Sequence, residues 1–363
     1  MTANHPGVVH GRRVAIVDGL RTPFVKSGTD FKDLSALDLA SGVVRELLQR
    51  SGVAGDQIDQ VVYGAVIPDV GAPNIAREIV LAGDMPDSVD AFSVSRACAT
   101  STQAVVSGAQ SILLGDADIV VAGGAESMSK PPILYSDRFV DILMDANAAK
   151  DIGSKVKAFS ALRPKDLAPH PPAIAERSTA LTMGGSAEIM AKENGISREA
   201  QDEYALRSHQ KAVEAWDKGI FDDEVMAFPV GPDYRTTVSR DNIPRPDSNL
   251  EKLATLKPVF DRKYGTITAG NSSPLTDGAS AVILMEEKTA ERLGFVPRAF
   301  IRSWAFAALD PNWQLLMGPS FATPIALGKA GLTLDDIDVI DMHEAFAAQI
   351  LSNTQAFASA EWA

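Results

Sequence analysis

Apolar residues follow two different spacings along the first third of the chain, and the two spacings alternate. Runs of consecutive apolar residues predict buried strands, whereas apolar residues three or four positions apart predict helices with one buried face. The predicted elements are a strand over 13–19, a helix over 34–50, a strand over 61–66, a helix over 74–82 and a strand over 119–122. This alternation is typical of an α/β fold with a mostly parallel sheet.

The pattern changes beyond residue 130, where prolines become frequent and regular elements become sparse. One long helix is predicted in this part, over 197–217, because Ser197 can cap its first turn. We interpret 130–257 as an inserted, loop-rich region. The strand-like stretches that follow it are 265–270, 281–285, 299–304 and 338–342.

The only cysteine of the sequence, Cys98, lies where a short alternating strand beginning at Asp90 passes into a helix that runs to Leu114. A thiol at a helix N-terminus faces unpaired backbone N–H groups and the positive end of the helix dipole, which stabilise a thiolate and can hold an oxyanion. The helix carries no charge over 97–115, so it is predicted to be buried on several sides. Two interpretations remain open for the thiol, a nucleophile or a small core residue.

Two stretches of the chain resemble each other. Residues 52–62 and 331–341 share a glycine that follows a predicted helix, an acidic position or pair, an Ile-Asp pair and a run into a predicted strand. A chance match is the alternative. Together with the strands predicted to open each half, the similarity favours a duplicated α/β architecture.

Composition narrows the classes of function. The 363 residues carry a formal net charge of −13, which argues against a general nucleic-acid binder. One cysteine excludes an internal disulfide and is typical of a reducing compartment, so we expect a cytoplasmic location. No apolar run is long enough to predict a transmembrane segment. An acidic protein that binds a polyanionic ligand needs a local basic patch.

Three polar or glycine-rich stretches stand next to predicted strands. They are 123–129, 268–279 and 340–349, with the sequences Gly-Gly-Ala-Glu-Ser-Met-Ser, Thr-Ala-Gly-Asn-Ser-Ser-Pro-Leu-Thr-Asp-Gly-Ala and Ile-Asp-Met-His-Glu-Ala-Phe-Ala-Ala-Gln. The first can be a tight turn or a segment of close backbone approach. The third places His343 at the end of a predicted strand, where α/β sheets position ligand sites.

These stretches, together with Ser-Arg-Ala-Cys-Ala-Thr-Ser at 95–101, resemble the thiolase family from about Arg12 to the end of the chain. His-Glu-Ala-Phe at 343–346 is similar to the branch found as the thiolase subunit of multienzyme fatty-acid oxidation complexes. The resemblance implies a duplicated fold with α-β-α-β-α layers. It further implies a first half over 12–287, containing the insertion at 130–257, and a second half over 295–363.

The resemblance also implies a chemistry for Cys98, which would take an acyl group from an acyl-CoA. His343 would help to hold a water that binds the thioester oxygen. Asn271 would support the pocket, and Ser273 would contact the pantetheine arm of CoA. Glu344, next to His343, would lie in the same pocket.

Met128 belongs to the glycine-rich stretch that borders the active site in the resembled family, so we place it at the pocket as well. The charged segments 192–198 and 207–211 of the insertion also resemble thiolase segments. Most of their charges are expected on a solvated helix face, with one or two of them meeting the nucleotide. No metal and no cofactor other than the substrates CoA and acyl-CoA are expected.

The pattern departs from the family in one respect. Complete thiolases carry a Gly-His-Pro motif, whose histidine acts as the base, and a second cysteine in a Cys-x-Gly motif. This sequence contains neither, since Cys98 is its only cysteine. Loss of a general acid or base costs roughly two to four orders of magnitude in rate. The missing motifs therefore predict a truncated second half that lacks its C-terminal part.

The main functional prediction is an acyltransferase, a 3-ketoacyl-CoA thiolase of fatty-acid β-oxidation that works through a thioester on Cys98. The alternative is a truncated, non-catalytic acyl-CoA-binding or scaffold subunit of an oxidation complex. A ketoacyl synthase is a weaker third option. The resemblance implies a homo-oligomer and a possible hydratase/dehydrogenase partner subunit, but neither nucleic acid nor a membrane span.

Overall fold

Nine strands and eleven α-helices form the regular structure of residues 7–169 and 175–359, the parts of the chain that the computed structural model describes. The strands are β1 (Val14–Arg21), β2 (Val25–Lys26), β3 (Gln60–Gly64), β4 (Asp90–Val94), β5 (Ile119–Ser127), β6 (Phe228–Val230), β7 (Thr236–Val238), β8 (Thr276–Glu286) and β9 (Ala299–Phe300). The helices are α1 (Ala36–Ser51), α2 (Ile75–Ala82), α3 (Thr100–Leu114), α4 (Asp137–Ala148), α5 (Ile152–Phe159), α6 (Met183–Glu193), α7 (Arg198–Asp217), α8 (Leu250–Ala254), α9 (Glu287–Leu293), α10 (Gly318–Ala330) and α11 (Ala347–Phe357).

The main sheet is mixed, so the prediction of a mostly parallel sheet is wrong. Its order is β4-β3-β5-β8-β1-β9, with β2 also paired to β8. β3 pairs in parallel with β4 and β5, but β8 runs antiparallel to β5, β1 and β2. Because the whole insertion lies between β5 and β8, β8 can return in the opposite direction without a crossover helix.

Helices cover both faces of this sheet. α1 and α2 pack on one face, and fully buried residues of α1 such as Leu39 and Leu47 form the larger core there. α3 packs on the other face through Ala109 and Ile112. The predicted burial of α3 on several sides is only partly correct, because Thr102 and Gln110 are exposed on its outer side.

The two helix N-caps predicted from the sequence, at Asn74 and Ser197, are present in the structure. Asn74 accepts a hydrogen bond from Arg77 N at the start of α2, and Ser197 accepts one from Ala200 N at the start of α7.

Two predicted strands are absent from the described chain, because residues 265–270 and 338–342 form irregular backbone. Of the predicted strand 299–304, only the first two residues pair, as β9. A strand needs a neighbour to satisfy its backbone groups, and propensity alone does not supply one.

The internal repeat has the same local structure at both sites. α1 ends at Gly52 with φ 74°, and α10 ends at Gly331 with φ 68°, the left-handed conformation that glycine adopts without strain. A short 3₁₀ helix follows each glycine, Gly55–Gln57 in the first copy and Leu334–Asp336 in the second. The copies diverge only afterwards, because the first leads into β3 and the second into irregular backbone.

Gly123 lies inside β5 rather than in a turn, and it is there because the strands approach closely. A Cβ at this position would stand 2.2 Å from Ser280 O and 2.5 Å from the Tyr63 ring. We expect Gly123→Ala to lower the free energy of unfolding by about 1–3 kcal/mol, as overpacking of a tight interior does. Urea unfolding measures the change.

Gly328 supplies the matched control for that substitution. It lies within α10, and a Cβ added there would meet nothing within 4 Å. Gly328→Ala is therefore expected to be neutral or slightly stabilising. Equal effects of the two alanine substitutions would contradict the close-approach argument.

Candidate active site

Cys98 lies at the tip of a sharp turn between β4 and α3, and its side chain is exposed. The preceding residue, Ala97, has φ 44°, a conformation that is uncommon without glycine. Thr100 fixes the turn, since its hydroxyl oxygen accepts from Arg96 N at 2.8 Å and donates to Ala97 O at 2.7 Å. The strained turn holds the thiol at the open end of α3, where the first backbone N–H groups have no helical partners.

The second half of the chain reaches this turn through an aromatic contact. The Arg96 guanidinium lies 4.1 Å from the centre of the Phe306 ring, and its Nε donates to Gln103 Oε1 at 2.8 Å. The arginine is thereby held between α3 and the segment that follows β9. The site at Cys98 is thus bordered by both halves of the chain.

Asn271 is almost fully buried, and both its amide nitrogen and its amide oxygen form hydrogen bonds with other residues of the chain. Its amide donates to Asp202 Oδ1 at 3.0 Å and to Thr266 O at 3.1 Å, and its Oδ1 accepts from Thr268 N at 2.8 Å. Asp202 in turn is paired with Arg198 at 2.7 Å on α7. Asn271 therefore shapes the loop that carries Ser273.

The Asn271 loop and the segment that carries His343 are joined by their backbones. Ser273 N donates to Ala345 O at 2.9 Å, and Ala347 N donates to Asn271 O at 3.0 Å. The sequence separates these segments by about seventy positions, yet the structure makes them one unit. The side chains of Ser273 and His343 are both exposed on it.

Glu344 is held by two hydroxyl groups of α7. Tyr204 donates to its Oε1 and Ser208 to its Oε2, both at 2.5 Å. Burial, together with the bond to Glu344, raises the pKa of Tyr204 above its usual range, so its hydroxyl stays a proton donor. Sequence reasoning missed both hydroxyls, although the i, i+4 spacing places them on one face of the predicted helix.

Two neighbouring cavities open onto this unit. The first, called here the loop cavity, has a volume of about 520 Å³. Its lining includes Lys26, His209, Arg245, Leu253, Leu256 and Phe260, and also Lys252 and Asp247, which form an ion pair of 2.8 Å. The second, the histidine cavity, has a volume of about 770 Å³ and is lined by His343, Glu344, Tyr204, Ser208 and Asn271. His209 and Ser273 line both, so the cavities adjoin.

The predicted site residues therefore fall into two groups. Asn271, Ser273, His343 and Glu344 are brought together at the histidine cavity, whereas neither Cys98 nor Met128 lines either of the two cavities. Met128 is half-buried in the turn after β5. The resemblance implies that His343 acts on a thioester carried by Cys98, but Cys98 does not line the cavities that contain His343 and Asn271.

The glycine-rich stretch around Met128 is braced by carboxylates. Glu126 accepts from Val66 N at 2.7 Å and from Ile67 N at 3.3 Å, and Asp277 accepts from Ser129 N at 2.9 Å. Burial raises the pKa of Glu126, and the nearby Asp277 adds to the effect. The contacts connect β5 with β8 and with the chain beyond β3, so this stretch is a structural support.

The loop cavity has three basic side chains in its lining, those of Lys26, Arg245 and Lys252. Of the two charged segments considered for contacts with the nucleotide, 207–211 contributes His209 and Lys211 to cavity walls. Sequence reasoning missed Arg245, which lies between two prolines, and Lys252, which lies on the short helix α8. Within residues 7–169 and 175–359, no group of His, Cys, Asp or Glu is arranged to hold a metal ion.

His209 gives this site a pH dependence. Burial lowers the pKa of His209 below its usual value, and Arg245 lowers it further, while Glu344 opposes the shift. Because the unfolded chain then binds this proton more readily than the folded chain, stability falls as the pH drops through about 6.5. We expect His209→Gln to reduce the loss of stability between pH 7 and pH 5.5 in denaturant titrations.

The control is His10→Asn at an exposed position outside both cavities. An exposed side chain meets nearly the same solvent in the folded and unfolded chain, so this variant should follow the wild type. A His209→Gln profile that is parallel to the wild-type profile would contradict the argument.

Both halves of the chain match models of one protein family. The family model described as the thiolase N-terminal domain matches residues 14–288, and the model described as the thiolase C-terminal domain matches residues 295–361. The chain therefore belongs to the thiolase family, a family of acyltransferase enzymes. The expectation of a second half without its C-terminal part is not supported, because the C-terminal model matches this half.

Named relatives agree with the family. The chain is 54% identical over 349 residues to a "3-ketoacyl-CoA thiolase" of Yersinia pestis and equally to one of Yersinia pseudotuberculosis, covering 96% of this chain and 80% of each relative. Among solved structures, it resembles an acetyl-CoA acetyltransferase of Bacillus anthracis, with TM-score 0.83, 32% identity and coverage of 95% of this chain and 83% of that one. Human mitochondrial 3-ketoacyl-CoA thiolase in complex with CoA gives TM-score 0.82, 32% identity and coverage of 95% and 82%.

These comparisons establish the thiolase fold predicted from the sequence.

No helix within 7–169 and 175–359 has both the length and the apolar character that a membrane crossing would need.

Proposed function

We propose that this chain is a 3-ketoacyl-CoA thiolase that acts in the degradation of fatty acids by β-oxidation. The observation that carries the proposal is the exposed Cys98 at the start of α3, in a chain 54% identical to proteins named for this activity. The alternative, a non-catalytic acyl-CoA-binding or scaffold subunit, is not favoured by these relatives. No observation favours a ketoacyl synthase.

The proposed reaction has two acyl-transfer steps. In the first, the Cys98 thiolate attacks the C3 carbonyl of 3-ketoacyl-CoA, the C2–C3 bond breaks, and the C2 carbanion takes up a proton to leave as acetyl-CoA. In the second, the sulfur of a free CoA attacks the acyl group on Cys98, and the shortened acyl-CoA leaves. Over the cycle one proton moves from the thiol of CoA to carbon, so the reaction is balanced.

The setting of Cys98 supports its role as the nucleophile. α3 begins two residues after Cys98, and the positive end of its dipole would stabilise the oxyanion that forms when the Cys98 sulfur attacks. His343 is proposed to hold a water against the thioester oxygen. The exposure of His343 at the wall of a large cavity supports this role.

CoA is proposed to bind in the loop cavity. The side chains of Lys26 and Arg245 would supply positive charge for its phosphates, while Leu253 and Leu256 would supply apolar contacts. Lys252 is paired with Asp247 in the same cavity. The pantetheine arm would pass Ser273, which lines both cavities. No other cofactor and no metal are proposed.

The cellular setting is part of the proposal. The single cysteine of the chain supports a location in a reducing compartment, the cytoplasm. A homo-oligomer is supported by the edge position of β4, whose Phe92 is partly exposed. A hydratase/dehydrogenase subunit is proposed as a further partner because of the His-Glu-Ala-Phe stretch.

Steady-state thiolysis tests this function directly. The chain would be incubated with CoA and 3-ketoacyl-CoAs of several chain lengths, and acetyl-CoA and the shortened acyl-CoA would be measured by liquid chromatography. A reaction without free CoA, followed by mass spectrometry, would locate the acyl group. The proposal requires the adduct on Cys98; binding of CoA without any acyl transfer would instead favour the non-catalytic alternative.

A further inference from the structure

The segment that carries His343 has few interactions of its own to fix its position. Residues 338–344 form irregular backbone, and Val339 and Ile340 are 82% and 55% exposed. The backbone hydrogen bonds that join this segment to the Asn271 loop begin only at Ala345. His343 therefore stands just outside the part of the segment that backbone pairing holds.

Glu344 is the next residue, and its carboxylate extends to α7. Tyr204 and Ser208 each donate one hydroxyl hydrogen bond, and each bond goes to a different carboxylate oxygen. Two bonds to two oxygens fix the plane of the carboxylate as well as its distance. Hydrogen bonds to an ionised acceptor are also stronger than those between neutral groups.

The helix that makes these bonds is itself firmly anchored. α7 is 20 residues long and is capped by Ser197. Its buried Asp202 holds Asn271, and its buried Gln201 donates to Thr266 Oγ1 at 3.0 Å. The same helix thus holds the loop of Ser273 through Asp202 and the segment of His343 through Glu344.

We propose that Glu344 is a positioning residue, which through Tyr204 and Ser208 clamps the His343 segment onto α7 in register with the Ser273 loop. The clamp deepens the proposed function and rests on it. α7 would thus position both His343, which would face the thioester oxygen, and Ser273, which would contact the pantetheine arm. Misplacement of a reacting group by about 1 Å can cost on the order of a hundredfold in rate.

Three variants separate positioning from proton transfer. Glu344→Ala removes the clamp, and we expect kcat to fall about 10- to 100-fold with KM for CoA changed less than about threefold. Tyr204→Phe combined with Ser208→Ala should give a similar loss, because it removes the same bonds from the other side. Glu344→Gln should retain most of kcat, since its amide can accept from Tyr204 and donate to the Ser208 oxygen.

Hydrogen exchange provides a readout that does not depend on turnover. Peptides covering 338–347 should exchange faster in Glu344→Ala and in the Tyr204→Phe, Ser208→Ala double variant, but at the wild-type rate in Glu344→Gln. The matched control is Asp336→Ala, which removes an exposed carboxylate that accepts from Thr333 Oγ1 at 3.0 Å outside both cavities. This control should change neither exchange at 338–347 nor kcat.

The outcomes are distinct. Unchanged exchange in Glu344→Ala would overturn the clamp, and faster exchange with unchanged kcat would overturn its role in positioning His343. A loss of kcat in Glu344→Gln as large as that in Glu344→Ala would mean that Glu344 acts through its charge or by proton transfer, which also overturns the proposal. A wild-type chain that binds CoA but transfers no acyl group would overturn the proposed function, while hydrogen exchange would still decide whether the clamp exists.

Discussion

Replacement of Cys98 with serine is expected to lower the rate of acyl transfer by at least about 10⁴-fold. The two side chains are nearly equal in shape, and the site is exposed, so the turn between β4 and α3 should keep its geometry. What changes is the nucleophile. A cysteine sulfur is intrinsically very nucleophilic, whereas a serine hydroxyl is a weak nucleophile without an adjacent base to activate it.

Two measurements check this prediction. Thiolysis of a 3-ketoacyl-CoA gives the rate, and intact-protein mass spectrometry gives the acyl adduct, which should be absent from Cys98→Ser. Thr102→Ala is the control, because Thr102 is an exposed residue in the first turn of the same helix. Retention of more than a tenth of the wild-type rate by Cys98→Ser would remove Cys98 from the mechanism.

Replacement of Asp202 with alanine is expected to have the largest effect on stability, a loss of about 3–5 kcal/mol in the free energy of unfolding. Asp202 is 4% exposed and accepts from Arg198 Nε and from Asn271 Nδ2. Its removal leaves a guanidinium without its counter-charge and a buried amide donor without one of its two acceptors. Asn271 is 2% exposed, so water cannot easily replace its lost acceptor, whereas the Arg198 side chain is 19% exposed and keeps its bonds to two backbone carbonyls.

A matched pair on the same helix provides the control. Glu214 and Lys218 have the same i, i+4 spacing as Arg198 and Asp202, but both are exposed. Solvent screens exposed pairs of this kind, so Glu214→Ala should be nearly neutral in the same urea titration. If the two alanine variants lost equal stability, burial could not be the reason for the effect of Asp202.

Asp202→Ala should also weaken the binding of CoA, because Asn271 shapes the loop that carries Ser273. Asp202→Asn is the informative intermediate. It keeps an oxygen that can accept from Asn271 but loses the charge that faces Arg198, so its loss of stability should lie between those of the wild type and the alanine variant. Calorimetric titration with CoA, at a temperature where every variant is folded, measures the binding.

The sequence alone determined those features that depend on neighbours within one or two helical turns. Asn74 and Ser197 cap helices because their side chains reach backbone N–H groups three positions ahead. Gly52 and Gly331 end helices because the left-handed conformation costs glycine nothing. The strand–cysteine–helix order at Cys98 was likewise readable, and with the quoted motifs it was enough to indicate the thiolase family.

Only the tertiary structure decided how distant segments meet. The direction of β8, the absence of strands at 265–270 and 338–342, and the shared unit formed by Ser273 and Ala345 all depend on backbone groups far apart in sequence. A strand or loop is stable only when a partner satisfies its N–H and C=O groups, and local propensity does not say which partner arrives.

Tertiary packing also determined the hydrogen-bond partners of the predicted site residues. Residue type pointed to Asn271, His343 and Glu344, but their use was set by what packs against them. Burial turned Asn271 inward onto Asp202, and α7 brought Tyr204 to Glu344 across 140 positions of sequence. The sequence determines the chemical groups that each side chain carries, whereas the fold determines which hydrogen-bond partners it has. The reason is that a buried polar group can bond only to the partners that packing places within reach.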